Sequence, residues 1–346
     1  MTNRYLILLG IIAAFMAAVT IAVSPGERKA GDTFVRDSYL IQGLDPDKVA
    51  RIEIISGEKK TELMRESDRF LLASKYKYPA QTEAVNRLLY RITDIKCRLR
   101  VTESQENFET LGVAGKDATT VSFYNDSGSR IVGVVLGNQA NDMKGGYVRL
   151  EGDSTVFLSS DPLPKIQNDF MDYIMSKILP GLFKDYNKIR VEFGGKACDV
   201  TIGEKSLKVR SLSGAGISVS DPDGLEQSLE TILRTKVVDV LPFQEMEGAK
   251  TDLRLTWTGK NKVVYSLNVL QKLNARYIVV TADVDYQGGE LTIGKDEAEE
   301  SLREKEKLLL ARDRAMEFNN EHRGWAYSLS DDAMNEIRGI PPKCSL

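Results

Sequence analysis

An Arg-apolar-Glu-apolar pattern occurs twice in this chain, as Arg51-Ile52-Glu53-Ile54 and Arg190-Val191-Glu192-Phe193, and each copy opens a similar succession of elements. Alternation at period two places Ile52 and Ile54 on one face, the mark of a half-buried strand. Thr61 to Arg65 and Phe70-Leu71-Leu72 read as further strands. Tyr78-Pro79-Ala80-Gln81 then leads into Val85, Leu88, Leu89 and Ile92 at spacings of three and four, which predicts an amphipathic helix with proline in its first turn. Asp221-Pro222-Asp223-Gly224 leads into Leu225, Leu229, Ile232 and Leu233 in the same way. The offset is 139 residues from Arg51 to Arg190 and 144 from Val85 to Leu229. After each helix comes an alternating strand (Val121-Ser122-Phe123, or Leu253 to Trp257), then a strand pair ending in Leu136-Gly137 or Ile293-Gly294. The last motif, Val156-Phe157-Leu158-Ser159-Ser160-Asp161, is echoed by Ala326-Tyr327-Ser328-Leu329-Ser330-Asp331, with a short helix expected after both. Five elements in one order argue for duplication of an α+β module with mainly antiparallel sheets.

The length agrees with two modules. At 346 residues the chain exceeds the roughly 250–300 at which a single core stops growing. The expected boundaries are residues 43–180 for the first module and 181–346 for the second, preceded by residues 1–25 and a polar linker at 26–42. Asp45-Pro46-Asp47-Lys48 is turn chemistry that delivers the first strand.

Residues 1–25 carry a different signal. From Tyr5 to Val23 the chain has no charge, and 19 residues of helix at about 1.5 Å each reach roughly 28 Å, close to the hydrocarbon thickness of a bilayer. A cleaved signal peptide is the rival reading, since Ala22-Val23-Ser24 is a small-x-small site; Pro25 and the length of the run favour a retained anchor. Arg4 without a neighbouring acid leans toward an N-terminus inside and a body outside. The expectation is a single-pass inner-membrane protein, touching lipid through residues 5–23, with its bulk in the periplasm.

The copies differ where the second inserts residues 295–323, which read as a long helix, acidic in its first turn and basic later. Leu308, Ala311, Ala315 and Phe318 make one stripe; Leu302, Leu309 and Met316 make a second at heptad spacing. Two stripes call for two neighbours. The plainer reading packs the helix across the body of its own module, and the other is a projecting helix that docks a partner, with Leu302, Leu308, Leu309, Met316 and Phe318 as the candidate partner-binding residues.

Composition narrows the chemistry. Net charge is −3, from 47 basic and 50 acidic residues, and neither this near-neutral balance nor any basic stripe fits nucleic acid. His322 is the only histidine; set between Glu321 and Arg323 at the end of a charged helix, it reads as a solvated cation. No Walker loop, nucleophile elbow or dinucleotide fingerprint is present, so no catalytic residue, metal or cofactor is assigned. Ser213-Gly214-Ala215-Gly216 is a hairpin signal. Asp45/Asp47 and Asp221/Asp223 are explained as turn and cap residues, while Asp283 and Asp285 share one side of a strand without a full cation loop. Cys97, Cys198 and Cys344 form no C-x-x-C pair, and buried free thiols are expected for the first two rather than a bridge. Lys75-Tyr76-Lys77-Tyr78 is the best local candidate for a recognition patch, against the plainer reading of a loop with half-packed tyrosines.

These residues together resemble a bacterial family catalogued as domain of unknown function 4340. The resemblance rests on the N-terminal apolar run, Gly43-Leu44-Asp45 before the Ile52/Ile54 strand, Phe70-Leu71-Leu72 where Trp-x-Leu is usual, and Tyr78-Pro79-Ala80. It continues through Phe108 to Leu111-Gly112, Leu136-Gly137, Gly146-Tyr147-Val148-Arg149 and Val156-Phe157. The resemblance implies a membrane-anchored extracytoplasmic protein auxiliary to gliding-motility-type or other ABC transporters, and supplies no catalytic residues. The functional expectation is thus a non-enzymatic accessory or scaffold subunit of a transport or envelope machine. The alternative is a module that binds an envelope saccharide or peptide. A scaffold predicts exposed apolar or strand-edge patches, with Leu308→Asp acting only in the complex. A binder predicts a concave, aromatic-lined pocket.

Overall fold

A computed structural model of the protein describes residues 34–141, 144–175, 177–203, 207–211, 222–288 and 298–343. The expected bilayer span at 5–23, the Ser213 to Gly216 hairpin, the Ile293-Gly294 step, the first residues of the expected insertion and Cys344 lie outside these residues. Among the described residues no helix is long and apolar enough to cross a membrane.

The fold is α+β with mainly antiparallel sheets and few helices. Its N-terminal strands are β1 (Phe34–Tyr39), β2 (Arg51–Ser56), β3 (Lys59–Glu66), β4 (Arg69–Leu72) and β5 (Tyr78–Pro79). Helix α1 (Thr82–Thr93) leads to β6 (Lys96–Thr102), β7 (Thr119–Tyr124), β8 (Arg130–Gln139), β9 (Gly146–Leu150) and β10 (Val156–Ser159). Next come β11 (Tyr186–Phe193), β12 (Lys196–Ile202), β13 (Leu207–Ser211), helix α2 (Pro222–Arg234) and β14 (Val237–Pro242). The chain closes with β15 (Lys250–Gly259), β16 (Val263–Lys272), β17 (Ala275–Val284), the long helix α3 (Glu299–His322), β18 (Trp325–Leu329) and α4 (Asp331–Arg338).

One sheet has ten strands in the order β1-β6-β10-β9-β8-β7-β2-β3-β4-β5, and the other has eight in the order β13-β12-β11-β15-β16-β17-β18-β14. With β1 and β5 set aside and the second read from its other edge, both sheets run through the same order by chain position. In each, three strands, a helix, one strand and a three-strand meander precede a last strand that inserts next to the strand after the helix.

Two expectations change. Phe34–Tyr39, read as part of a polar linker, is an edge strand held by backbone pairing (Ser38 opposite Cys97, Tyr39 opposite Lys96), which needs no apolar periodicity and so left no signal. Pro79 does not enter a helix. It pairs with Leu71 at a sheet edge, where its missing N–H costs nothing, and α1 starts three residues later.

The chain groups into two compact units: Met1–Val49 with Ile54–Glu58 and Leu88–Ile166, and Ala50–Glu53 with Lys59–Arg87 and Gln167–Leu346. In the first, Phe108, Val113, Ala118, Val135 and Val156 form a buried cluster, with the Arg149 guanidinium 4.8 Å over the Phe108 ring. The Leu136-Gly137 step has a steric cause, since a Cβ on Gly137 would lie 2.5 Å from the Leu111 carbonyl oxygen. In the second unit, Trp257 is fully buried, edge-to-face with Tyr186 at 5.1 Å and Phe183 at 6.3 Å.

Candidate functional site

Helix α3 organises the second unit. Leu308, Ala311, Ala315, Phe318 and His322 recur at spacings of three and four and are all buried, because this stripe lies on β17 and β16. Two alanines in the stripe let the helix approach closely. Asn319, beside it, fixes the register: its side-chain oxygen accepts from the Ala282 N–H at 2.8 Å and its amide nitrogen donates to the Ala282 carbonyl at 2.7 Å.

His322 is therefore not the solvated cation its charged neighbours imply. It is 2% exposed, its ring lies 4.1 Å from that of Phe318, and its Nδ1 is 2.7 Å from the Tyr327 hydroxyl. Burial pulls its pKa down to about 4, so the imidazole is neutral. Tyr327 is in turn hydrogen-bonded to Tyr78, and burial raises both phenols above their ordinary range.

The candidate partner residues separate into two groups. Leu308 and Phe318 are buried on the helix's own sheet, 6% and 8% exposed, and have no surface left for another protein. Leu302 and Met316 face outward with Leu310, at 37%, 54% and 48% exposure, while Leu309 is half-buried. In the Lys75 to Tyr78 patch, Lys75 pairs with Asp239 at 2.8 Å and lies 4.2 Å over the Phe170 ring, and Lys77 pairs with Glu66. Tyr78 is buried against Trp325 at 4.8 Å, leaving Tyr76 as the exposed ring. Asp45 accepts from the Asp47 N–H at 3.1 Å, as turn chemistry requires. Asp283 accepts from the Val284 N–H at 2.8 Å, and among the described residues no group of three or more His, Cys, Asp or Glu is placed to hold a metal. Cys97 is a buried free thiol, and Cys198 is buried as well.

Two clefts flank the C-terminal half of α3 and share Glu317 and Glu321. The first, about 620 Å³, includes Arg69, Tyr78, Glu83 and Met316 in its wall. Partial burial, then the charges of Glu317 and Glu83, hold the Glu321 carboxyl above its usual range, with Arg69 acting in the opposite direction. The second, about 570 Å³, has Tyr186, Tyr265 and Phe318 as its aromatic wall, packed edge-to-face at 6.2 and 5.0 Å. The Tyr186 hydroxyl donates to the Pro180 carbonyl, and Tyr265 hydrogen-bonds Asn261. Around the rings stand Asp185, Lys260, Arg314 and the two shared glutamates. Among the described residues, the side chains of Lys260, Arg314, Glu317 and Glu321 make no hydrogen bond or ion pair. Such a cleft offers hydrogen-bond donors and acceptors above rings that are themselves buried, Tyr186, Tyr265 and Phe318 being 2%, 6% and 8% exposed.

A family model described as Domain of unknown function (DUF4340) matches residues 71–255, more than half of the chain. The chain belongs to the DUF4340 family. No curated protein matches it. The DUF4340 match runs from within β4 to within β15 and stops before α3, so the helix, half of the first cleft's wall and most of the second's lie outside it. Sequence reasoning about this DUF4340 chain passed over Tyr186, Asn261, Tyr265, Arg314 and Glu317. Only the fold brings a strand start, a hairpin turn and a distant helix together, and Arg314 and Glu317 look like any solvated helix charges. A signal for His322 did exist, because it continues the Leu308-Ala311-Ala315-Phe318 spacing by four residues.

Proposed function

We propose that this DUF4340 protein is a non-enzymatic, membrane-anchored extracytoplasmic accessory or scaffold subunit of an ABC-type transport or cell-envelope machine. The observation that carries the reading is the second face of α3. Its first stripe is consumed by β16 and β17, yet Leu302, Leu310 and Met316 remain exposed on the outward surface. A helix this charged keeps outward leucines at a cost in solubility, which a partner surface would justify. Three further observations support it. The uncharged Tyr5 to Val23 run is 19 residues long, a length and composition that suit a membrane anchor. The shared strand order of the two sheets fits a duplicated scaffold of tandem modules, the second elaborated by α3. The only imidazole in the chain is locked, neutral, between Phe318 and Tyr327, which removes the commonest general base from the surface.

The test is in-cell cross-linking of the tagged full-length protein, detergent solubilisation and mass spectrometry. Transporter or envelope membrane subunits recovered in stoichiometric amounts from wild type, and lost from a Leu310→Asp/Met316→Asp variant that still folds, support the role. Equal recovery from both removes α3 as the docking element.

A further inference from the structure

The outward face of α3 borders the first cleft, and the charge of that cleft selects what can dock on the helix. Resting on the accessory-subunit reading above, we propose that the docked partner presents a basic segment here. Its lysine or arginine side chains enter the cleft, and its apolar side chains cover Met316 and Leu310.

The helix presents this face through its own periodicity. Ala311, Ala315, Phe318 and His322 are turned onto the sheet, so at 3.6 residues per turn Asp313 and Glu317 fall on the opposite side, between the exposed Leu310 and Met316. Asp313, Met316, Glu317 and Glu321 make one wall of the cleft, and Asp68, Arg69 and Glu83 stand in the rest of it. All seven are exposed, so a partner reaches them without any rearrangement of the core.

Charge then decides the occupant. Five carboxylates face one guanidinium, and among the described residues none of the five makes an ion pair. A concave surface of one sign focuses its potential and draws the opposite charge. The crowding registers at Glu321, whose carboxyl is held above its usual range by partial burial and then by Glu317 and Glu83; a cation among them relieves it. Among the described residues no group of three or more His, Cys, Asp or Glu is placed to hold a metal, so side-chain cations fit better than a bare ion. A second copy of this chain, docked through the same face about a two-fold axis, would set carboxylate against carboxylate. Nucleic acid and anionic headgroups are repelled in the same way. A small polyamine would match the charge but leave Leu310 and Met316 uncovered, whereas a protein segment satisfies both. Arg312 lies outside the cleft wall, on the other flank of Met316, and orients the incoming cations toward Asp313 and Glu317.

The test uses full-length protein in nonionic detergent and reads the fluorescence anisotropy of two labelled probes, an amphipathic Leu/Lys peptide and its Leu/Glu counterpart, with spermine as unlabelled competitor. The expected result is saturable Leu/Lys binding, at least tenfold tighter than Leu/Glu, weakened by added salt and not displaced by equimolar spermine. Asp313→Asn/Glu317→Gln should weaken it at least tenfold at an unchanged melting temperature. Glu247→Gln/Glu300→Gln removes as much charge outside the cleft and should leave binding within twofold. No Leu/Lys binding, equal Leu/Glu binding, displacement by equimolar spermine, or equal losses in the two variants would each overturn the assignment. Failure of the docking reading looks different. In cells, a photo-crosslinker at position 310 that captures the same partner equally in wild type and Asp313→Asn/Glu317→Gln overturns the basic segment and leaves the partner standing. Selective Leu/Lys binding with no adduct at 310 supports the cleft's preference for basic segments and overturns α3 as the docking element.

Discussion

The Nδ1 of His322 lies 2.7 Å from the hydroxyl of Tyr327, and both side chains are buried. This pair joins the last turn of α3 to β18 without any charge. Protonating the imidazole would strand a cation in an aromatic pocket, which is why its pKa falls to about 4.

A pH dependence follows. The unfolded histidine titrates near 6.5 and the folded one near 4, so between these values the unfolded state holds the extra proton. Stability contributed by His322 is complete above pH 6.5, declines as pH falls toward 4 and is lost below. The difference amounts to roughly 3 kcal/mol at full extent. Urea denaturation from pH 8 to pH 4 should show this decline, and His322→Phe should flatten it. An equally steep profile in the variant would assign the slope to carboxylates instead.

Asn319→Ala should cost about 2–3 kcal/mol, because it leaves the N–H and C=O of Ala282 without their partners against the helix. Hydrogen exchange at the Ala282 amide should accelerate in the variant. Unchanged protection would mean that β17 and α3 hold register through apolar packing alone.

Leu308→Asp and Leu310→Asp should behave oppositely. Leu308 is 6% exposed, so its substitution buries a carboxylate and destabilises the isolated protein by about 4 kcal/mol or more. Leu310 is 48% exposed, and its substitution should stay within about 0.5 kcal/mol. Thermal melts of the two variants decide this. The expectation that Leu308→Asp acts only in a complex is corrected by its burial on the helix's own sheet.

Cys97 and Cys198 should react with an aromatic disulfide reagent only on unfolding. Both are buried, and burial pushes the Cys97 thiol up to about 12, which leaves almost no thiolate near neutral pH. A Cys344→Ser background isolates the two. Rapid labelling of either in native protein would show that its strand opens readily.

Much of the fold was legible in particular residues. Ile52 and Ile54 announced β2, the Val85-Leu88-Ile92 spacing announced α1, and the two Arg-apolar-Glu-apolar strands foretold sheets that share one strand order. What escaped was set by backbone pairing or by distance in the chain. β1 is held by hydrogen bonds to β6, and Pro79 sits at an edge where its ring is tolerated. His322 was hidden by Glu321 and Arg323, which share its sequence but face the other way. The cleft was hidden more deeply, since Tyr186, Asn261 and Arg314 become neighbours only after β11, the β15–β16 hairpin and α3 have packed.

The central claim is that the outward face of α3 docks a membrane-machine partner. Its most direct test is a photo-crosslinking amino acid placed in living cells at Leu310, and separately at Tyr90, which is 67% exposed on α1. The account predicts a discrete adduct from position 310, identified by mass spectrometry as a transporter or envelope membrane subunit, and none from position 90. No adduct at 310, or the same adducts from both positions, would contradict it.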